Sequence, residues 1–257
     1  MSSRIENFRN KIEKGETPFG LFITMSDMAV CEMAGLAGYD FVWIDAEHGP
    51  LDRREVFSLI MAAQAGGAAA FVRVPGADPY IVKAILDMGP DGIIFPFVNN
   101  GEIAKRAIQS CCYPPAGIRG QGPIRAIQYG LLDEGEYIKD HKNRTLRICQ
   151  IESVEGYENL DEIMDVENVD SLFIGAADLS RSIGGKYPNG EKNLEEIYDD
   201  ICRRVRDRGI ILGAAGGVTR QDVQPLIDKG VQWLVCGQDA RILSGGMRDN
   251  LRNLRGE

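Results

Sequence analysis

The residues of this 257-residue chain that can do chemistry fall into four short segments. Trp43-Ile44-Asp45-Ala46-Glu47-His48-Gly49-Pro50 places one of only two histidines beside two acids, which can orient an imidazole and raise its basicity for work as a general base through water. Arg73 follows the apolar run Ala69-Ala70-Phe71-Val72, where a guanidinium belongs if an anion, a developing oxyanion or a carboxylate such as Asp45 or Glu47 meets it. Gln150-Ile151-Glu152 and Gly175-Ala176-Ala177-Asp178 each end an apolar run in an acid. If Glu152 and Asp178 converge, they suit a hard divalent cation (magnesium, manganese or cobalt) better than zinc and leave positions open for substrate oxygens and water. The plainer alternative makes both acids N-caps of the helices that follow. For His48 taken alone, a structural turn residue is the commoner role.

These segments share one property: each lies where an apolar run ends. Eight such runs, at residues 19–24, 41–45, 69–74, 92–96, 146–151, 171–175, 210–214 and 232–237, are nearly free of charge inside, as strands buried on both faces must be. Amphipathic segments of helical period alternate with them at 27–38, 51–66, 78–88, 100–111, 157–164, 194–208 and 220–229. A further helix is expected at 5–14, ahead of the first strand, and another at 240–254, after the last. This alternation predicts an α/β fold, a (β/α)8 barrel formed as a single domain over residues 1–257. In such barrels reacting groups sit at the carboxyl ends of the strands. Residues 113–144 break the rhythm, because their first half is too rich in Pro and Gly for an element and reads as a long ordered loop or lid. A second glycine-rich stretch, 184–190, reads as a surface connection.

Several absences narrow the chemistry. None of the eight runs holds a lysine, which disfavours a Schiff base. Cysteines 31, 111, 112, 149, 202 and 236 form no C-x-x-C pair, so neither a structural zinc nor a disulfide framework is expected, and redox activity of Cys111-Cys112 is disfavoured. His141, in Lys139-Asp140-His141-Lys142, reads as a solvated residue. Gly213-Ala214-Ala215-Gly216-Gly217 has only the weak look of a backbone anion nest. A net charge of -9 and a pI near 4.9 disfavour nucleic acid and anionic membranes as partners. The start of the chain has no apolar signal core, and the expectation is a cytoplasmic protein.

With these residues in view, the chain resembles the HpcH/HpaI aldolase family over nearly its full length. The resemblance is carried by Ile44-Asp45-Ala46-Glu47-His48-Gly49-Pro50, Val72-Arg73-Val74-Pro75, Gly117-Ile118-Arg119-Gly120, Gln150-Ile151-Glu152 and Phe173-Ile174-Gly175-Ala176-Ala177-Asp178-Leu179-Ser180. It implies a class II aldolase, an aldehyde-lyase whose divalent metal is held by Glu152 and Asp178. Pyruvate would be bound through its keto and carboxylate oxygens. It further implies that His48, paired with Asp45, is the base, that Arg73 steadies the enolate or aldehyde oxygen, and that Gln150 flanks the metal. The Gly175 turn, with the N–H groups of Ala177 and Asp178, would grip the carboxylate. A hexamer built as a trimer of dimers is implied too, with the last helix exchanged between subunits. Many members have Pro where this chain has Ala176, and others have Ser where it has Gln238; neither change removes a catalytic group.

The expected reaction is cleavage or formation of a 4-hydroxy-2-oxo acid from a pyruvate enolate and an aldehyde. The alternatives are an enolate-forming lyase or decarboxylase of the CoA-ester or oxaloacetate type, and a non-catalytic barrel that binds a 2-oxo acid. Arg73→Ala and His48→Ala are expected to fold normally and lose most activity. Aldehyde specificity is assigned to loops such as 114–125.

Overall fold

A computed structural model describes residues 3–184 and 193–257. The eight expected runs all become strands: β1 (Phe19–Ile23), β2 (Phe41–Asp45), β3 (Ala69–Arg73), β4 (Gly92–Phe95), β5 (Leu146–Ile151), β6 (Ser171–Ile174), β7 (Ile211–Gly216) and β8 (Trp233–Gln238). They pair in parallel and in sequence order, and β8 closes on β1, so the architecture is the (β/α)8 barrel. The helices are α1 (Arg4–Glu13), α2 (Met28–Leu36), α3 (Arg53–Ala65), α4 (Pro79–Asp87), α5 (Gly101–Cys111), α6 (Glu134–Arg144), α7 (Val154–Glu158), α8 (Leu160–Met164), α9 (Ala176–Ile183), α10 (Leu194–Asp207), α11 (Arg220–Asp228) and α12 (Asp239–Arg255).

The interior of the barrel explains why one end is left for chemistry. Its lower half is filled by Phe41, Trp43, Phe71, Phe173 and Trp233, and glycines stand against three of these rings, those of Phe41, Phe71 and Trp233. A Cβ added at Gly20 would fall 2.2 Å from the Phe41 ring, one at Gly213 only 2.1 Å from Trp233. Ile5 and Phe8 of α1 plug the amino-terminal mouth, with Phe8 packed edge-on against Phe41 at 5.8 Å and Phe71 at 5.2 Å. A second, larger apolar layer lies between the outer faces of the strands and the helices. Polar side chains are therefore displaced to the carboxyl ends of the strands, where Asp45, Arg73, Gln150 and Glu152 are all buried.

Several expectations need correction. The helix expected at 157–164 starts at Val154 and is split into α7 and α8 around Asn159. The amphipathic segments expected along the chain do not include 176–183, and a helix there enters only through the N-cap alternative for Asp178, yet α9 stands there; its Gly-Ala-Ala opening reads as a turn until Leu179 and Ile183 are seen buried. Loop 113–125 follows α5 and so lies at the amino-terminal end: Arg119 reaches Asp87 at the end of α4 (2.9 Å), and Arg125 reaches the Met88 carbonyl (2.8 Å). Within one chain it cannot touch a substrate at the opposite end of the barrel. His141 is not a solvated residue, because its ring packs edge-on against Tyr113 at 5.1 Å and burial lowers its pKa. The glycine-rich stretch expected as a surface connection lies mostly outside the described residues, from 185 onward. All six cysteines are free thiols. No described helix is long and apolar enough to cross a membrane.

α12 departs from ordinary barrel packing. Only Asp239, at its start, is buried, while Ile242, Leu243, Met247, Leu251 and Leu254 are exposed along its length.

Candidate active site

Strand register builds the first half of the site. Asp45 and Arg73 end adjacent strands and are register partners, so their side chains emerge side by side. Arg73 forms a two-pronged contact with the Asp45 carboxylate, Nε to Oδ1 at 3.0 Å and Nη2 to Oδ2 at 2.6 Å, the fork geometry that favours arginine over lysine. Its Nη1 lies 3.0 Å from Glu47 Oε2, and the guanidinium sits 5.5 Å from the Trp43 ring centroid. Asp45 Oδ1 also accepts the backbone N–H groups of Glu47 and His48, both at 3.2 Å, and so shapes the turn that carries them.

This arrangement corrects the expected His48–Asp45 pair. Arg73 and two amides already occupy the Asp45 carboxylate, whereas the acid near the imidazole is Glu47, with Oε2 3.7 Å from His48 Nε2. The difference follows from topology: Arg73 comes from a neighbouring strand, which the local sequence around His48 does not reveal. The His48 side chain is 64% exposed. Burial raises the Glu47 pKa, opposed first by Arg73.

The second half rests on β5 and β6. Glu152 is 1% exposed, with Oε1 accepting the Phe97 backbone N–H at 2.8 Å and Oε2 accepting from Gln150 Nε2. Burial pushes its pKa up to about 7; the Phe97 amide opposes this, and the negative charges of Glu47 and Asp178 add to it. Asp178 lies in the first turn of α9, 36% exposed and 3.3 Å from Arg181. Neither acid is an N-cap: Ser153 caps α7, and the cap position of α9 is Gly175, which has no side chain to offer. The plainer alternative for both acids therefore fails. Gly175 is required by close approach, since a Cβ there would lie 2.6 Å from Glu152 Oε2 and 2.8 Å from Gln150 Nε2.

Arg73, Asp45, Glu47, Gln150 and Glu152 thus gather at one mouth, with Asp178 near enough to act on Glu152 electrostatically. Ala177, an exposed residue, precedes Asp178 in α9. Two groups escaped the sequence reading. One is the Phe97 amide, which no side-chain pattern announces. The other is buried Asp239, which accepts the N–H groups of Thr24 and Met25 (both 2.9 Å) and ties the β1 end to α12; an acid just after the eighth strand was the available signal. The glycines at 213–217 have a packing role instead of forming an anion nest. Gly213 lies under Trp233, and the Gly217 turn abuts Asp222, whose carboxylate already accepts from Thr219. A cleft of about 1090 Å³ opens at the opposite face beside Arg4, Asp91 and Arg125, and neither Glu47 nor Glu152 lines it.

The family profile described as HpcH/HpaI aldolase/citrate lyase matches residues 18–243. A "Hydroxypyruvate/pyruvate aldolase" of Roseobacter denitrificans is 32% identical over 247 residues, covering 95% of this chain and 94% of that protein. A "2-keto-3-deoxy-L-rhamnonate aldolase" of Escherichia coli is 31% identical over 257 residues, covering 98% and 94%. Among solved structures, an HpcH/HpaI aldolase/citrate lyase family protein from Burkholderia cenocepacia superposes with a TM-score of 0.87 at 27% identity, covering 97% of this chain and 99% of that one.

Proposed function

The chain belongs to the HpcH/HpaI aldolase/citrate lyase family, and from that premise we propose that it is a divalent-metal-dependent aldolase. In this reading it makes or breaks the bond of a 4-hydroxy-2-oxo acid between a pyruvate enolate and an aldehyde. The observation that carries it is Glu152, a carboxylate buried at the mouth of the barrel with, among the described residues, no cation acting on it except Arg73.

The donor set suits a hard cation. Glu152 is desolvated and crowded by the charges of Glu47 and Asp178, Gln150 Oε1 is buried with no hydrogen-bond partner, and the Gly175 cradle keeps the space beside both open. Among the described residues no three His, Cys, Asp or Glu side chains converge on a metal by themselves. Glu152 and Asp178, with Gln150 at their flank, would hold the ion and leave positions for substrate and water. A magnesium, manganese or cobalt ion bound there supplies Lewis-acid stabilisation of negative charge on the 2-oxo acid oxygens.

The remaining tasks fall to the protein. His48, accessible at the mouth and oriented by Glu47, accepts the proton of the C4 hydroxyl in cleavage and returns it in synthesis. Arg73 is held rigid by Asp45 and Glu47 and keeps N–H groups for a substrate oxygen, so it meets the developing oxyanion without reorganising. The Gly175 turn and the amides of Ala177 and Asp178, at the start of α9, offer the positive end of a helix to the pyruvate carboxylate. The exposed apolar stripe of α12 supports an oligomer, a hexamer in which this helix packs on a neighbouring subunit.

The test needs no choice of aldehyde. Proton NMR in heavy water follows the pyruvate methyl signal with protein plus chelator, and then with manganese or magnesium added. Metal-dependent loss of the signal is expected. No exchange with any divalent metal would overturn the aldolase reading in favour of the CoA-ester or non-catalytic ones.

A further inference from the structure

Phe97 is placed in a way that neither folding nor ligand positioning requires of a phenylalanine. It holds φ at 47°, in the left-handed region that glycine, asparagine and aspartate tolerate and bulky side chains avoid. Its backbone N–H donates to Glu152 Oε1 at 2.8 Å, which explains the conformation. Glycine would present the same amide without strain, so the amide does not explain the ring. Core packing does not explain it either: Phe95 and Val98 on each side are buried, whereas Phe97 is 45% exposed. Covalent geometry keeps its ring within about 8 Å of the Glu152 carboxylate, at the rim above β4.

The charges of this rim narrow what can lie against that ring. Arg73 is engaged by Asp45 and Glu47, and Arg181 by Asp178. Around Glu152 an aldehyde bearing its own carboxylate would meet the charges of Glu47 and Asp178 and the already engaged Arg73, whereas an alkyl chain would meet an aromatic face. We infer that Phe97 is the wall against which the side chain of the aldehyde acceptor packs, and that the acceptor is an uncharged aldehyde with an apolar chain. This inference rests on reading the mouth as an aldolase site. The carbonyl carbon reacts at the metal side of the mouth, while the alkyl substituent extends over the ring and is desolvated on that face.

Initial rates of aldol addition of pyruvate to ethanal, butanal, hexanal and succinic semialdehyde, measured for the wild type, Phe97→Gly and Phe97→Asn, test this. Both replacements tolerate the left-handed conformation and keep the amide that holds Glu152. Covering one face of the chain is expected to raise wild-type kcat/KM about twofold per methylene, roughly 16-fold from ethanal to hexanal, with succinic semialdehyde lowest. In both variants the rise should flatten to less than about threefold. An equal loss for every aldehyde, or no loss for any, would show that the ring does not touch the acceptor chain and would overturn the inference. So would a smaller molecular mass by light scattering, which would mark the ring as covered by another subunit. If wild-type protein exchanges the pyruvate methyl protons yet shows no chain-length preference, only this inference fails; if it exchanges none, the aldolase reading fails with it.

Discussion

Replacing Glu152 with glutamine tests the electrostatic core of the site without reference to activity. Burial holds the folded carboxyl at about 7 against an ordinary value of 4.5, so between those values the native chain binds more proton than the unfolded one. Stability therefore falls as pH rises through that window, and the full cost is present above it. A shift of this size corresponds to about 3 kcal/mol at pH 8 and under about 1 kcal/mol at pH 5. Glutamine removes the charge and keeps the shape, and the Gln150 amide, whose Oε1 has no partner, can turn to accept from the new Nε2. In chelator, Glu152→Gln is expected to raise Tm by roughly 6–10 °C at pH 8 and by about 2 °C or less at pH 5. Manganese should then stabilise the wild type strongly at pH 8, weakly at pH 5, and the variant at neither pH. Differential scanning calorimetry across pH, with and without manganese, reads all of these effects. A variant that is no more stable than wild type at pH 8 in chelator would show that Glu152 does not carry a costly buried charge, and the argument for a cation there would fall.

Other substitutions follow from the same geometry. His48→Ala removes an exposed side chain, so Tm should stay within about 1–2 °C of wild type while kcat falls about 10²–10⁴-fold; activity near wild type would exclude His48 as the base. Arg73→Ala strands two acids, Asp45 and Glu47, and should cost about 3–5 kcal/mol in denaturant melts, so the sequence-based expectation of normal folding is revised. Arg73→Lys keeps the charge but not the fork, and should fold better than the alanine variant yet remain slow in aldol assays. Gly175→Ala drives a Cβ to 2.6 Å from Glu152 and should lower both stability, by about 1–3 kcal/mol, and manganese affinity by calorimetric titration; unchanged affinity would show that the cradle does not shape the site.

Much of this protein could be read along the chain. Eight charge-free runs alternating with helical periods specify the barrel, because a strand buried on both faces tolerates no charge and parallel neighbours need a crossover between them. Charged or polar residues at the ends of those runs, Asp45, Arg73, Gln150 and Glu152, then have one place to go, the carboxyl-end mouth left open above the aromatic plug. The missed helix α9 shows the limit of local pattern, since Leu179 and Ile183 declare a buried face only once the outer layer exists.

What the chain could not disclose is pairing across strands. Asp45 and His48 are three residues apart and look like a catalytic pair, but register sets Arg73 beside Asp45 and leaves Glu47 to the imidazole. The burial that raises the Glu152 pKa, the Phe97 amide that holds its carboxylate and the end of the barrel reached by loop 113–125 are likewise relations between distant segments. The sequence by itself determined which residue types stand at the strand ends, because patterning and turn chemistry are local. Only the tertiary structure decided which of them touch, because contact and desolvation depend on the closure of the sheet.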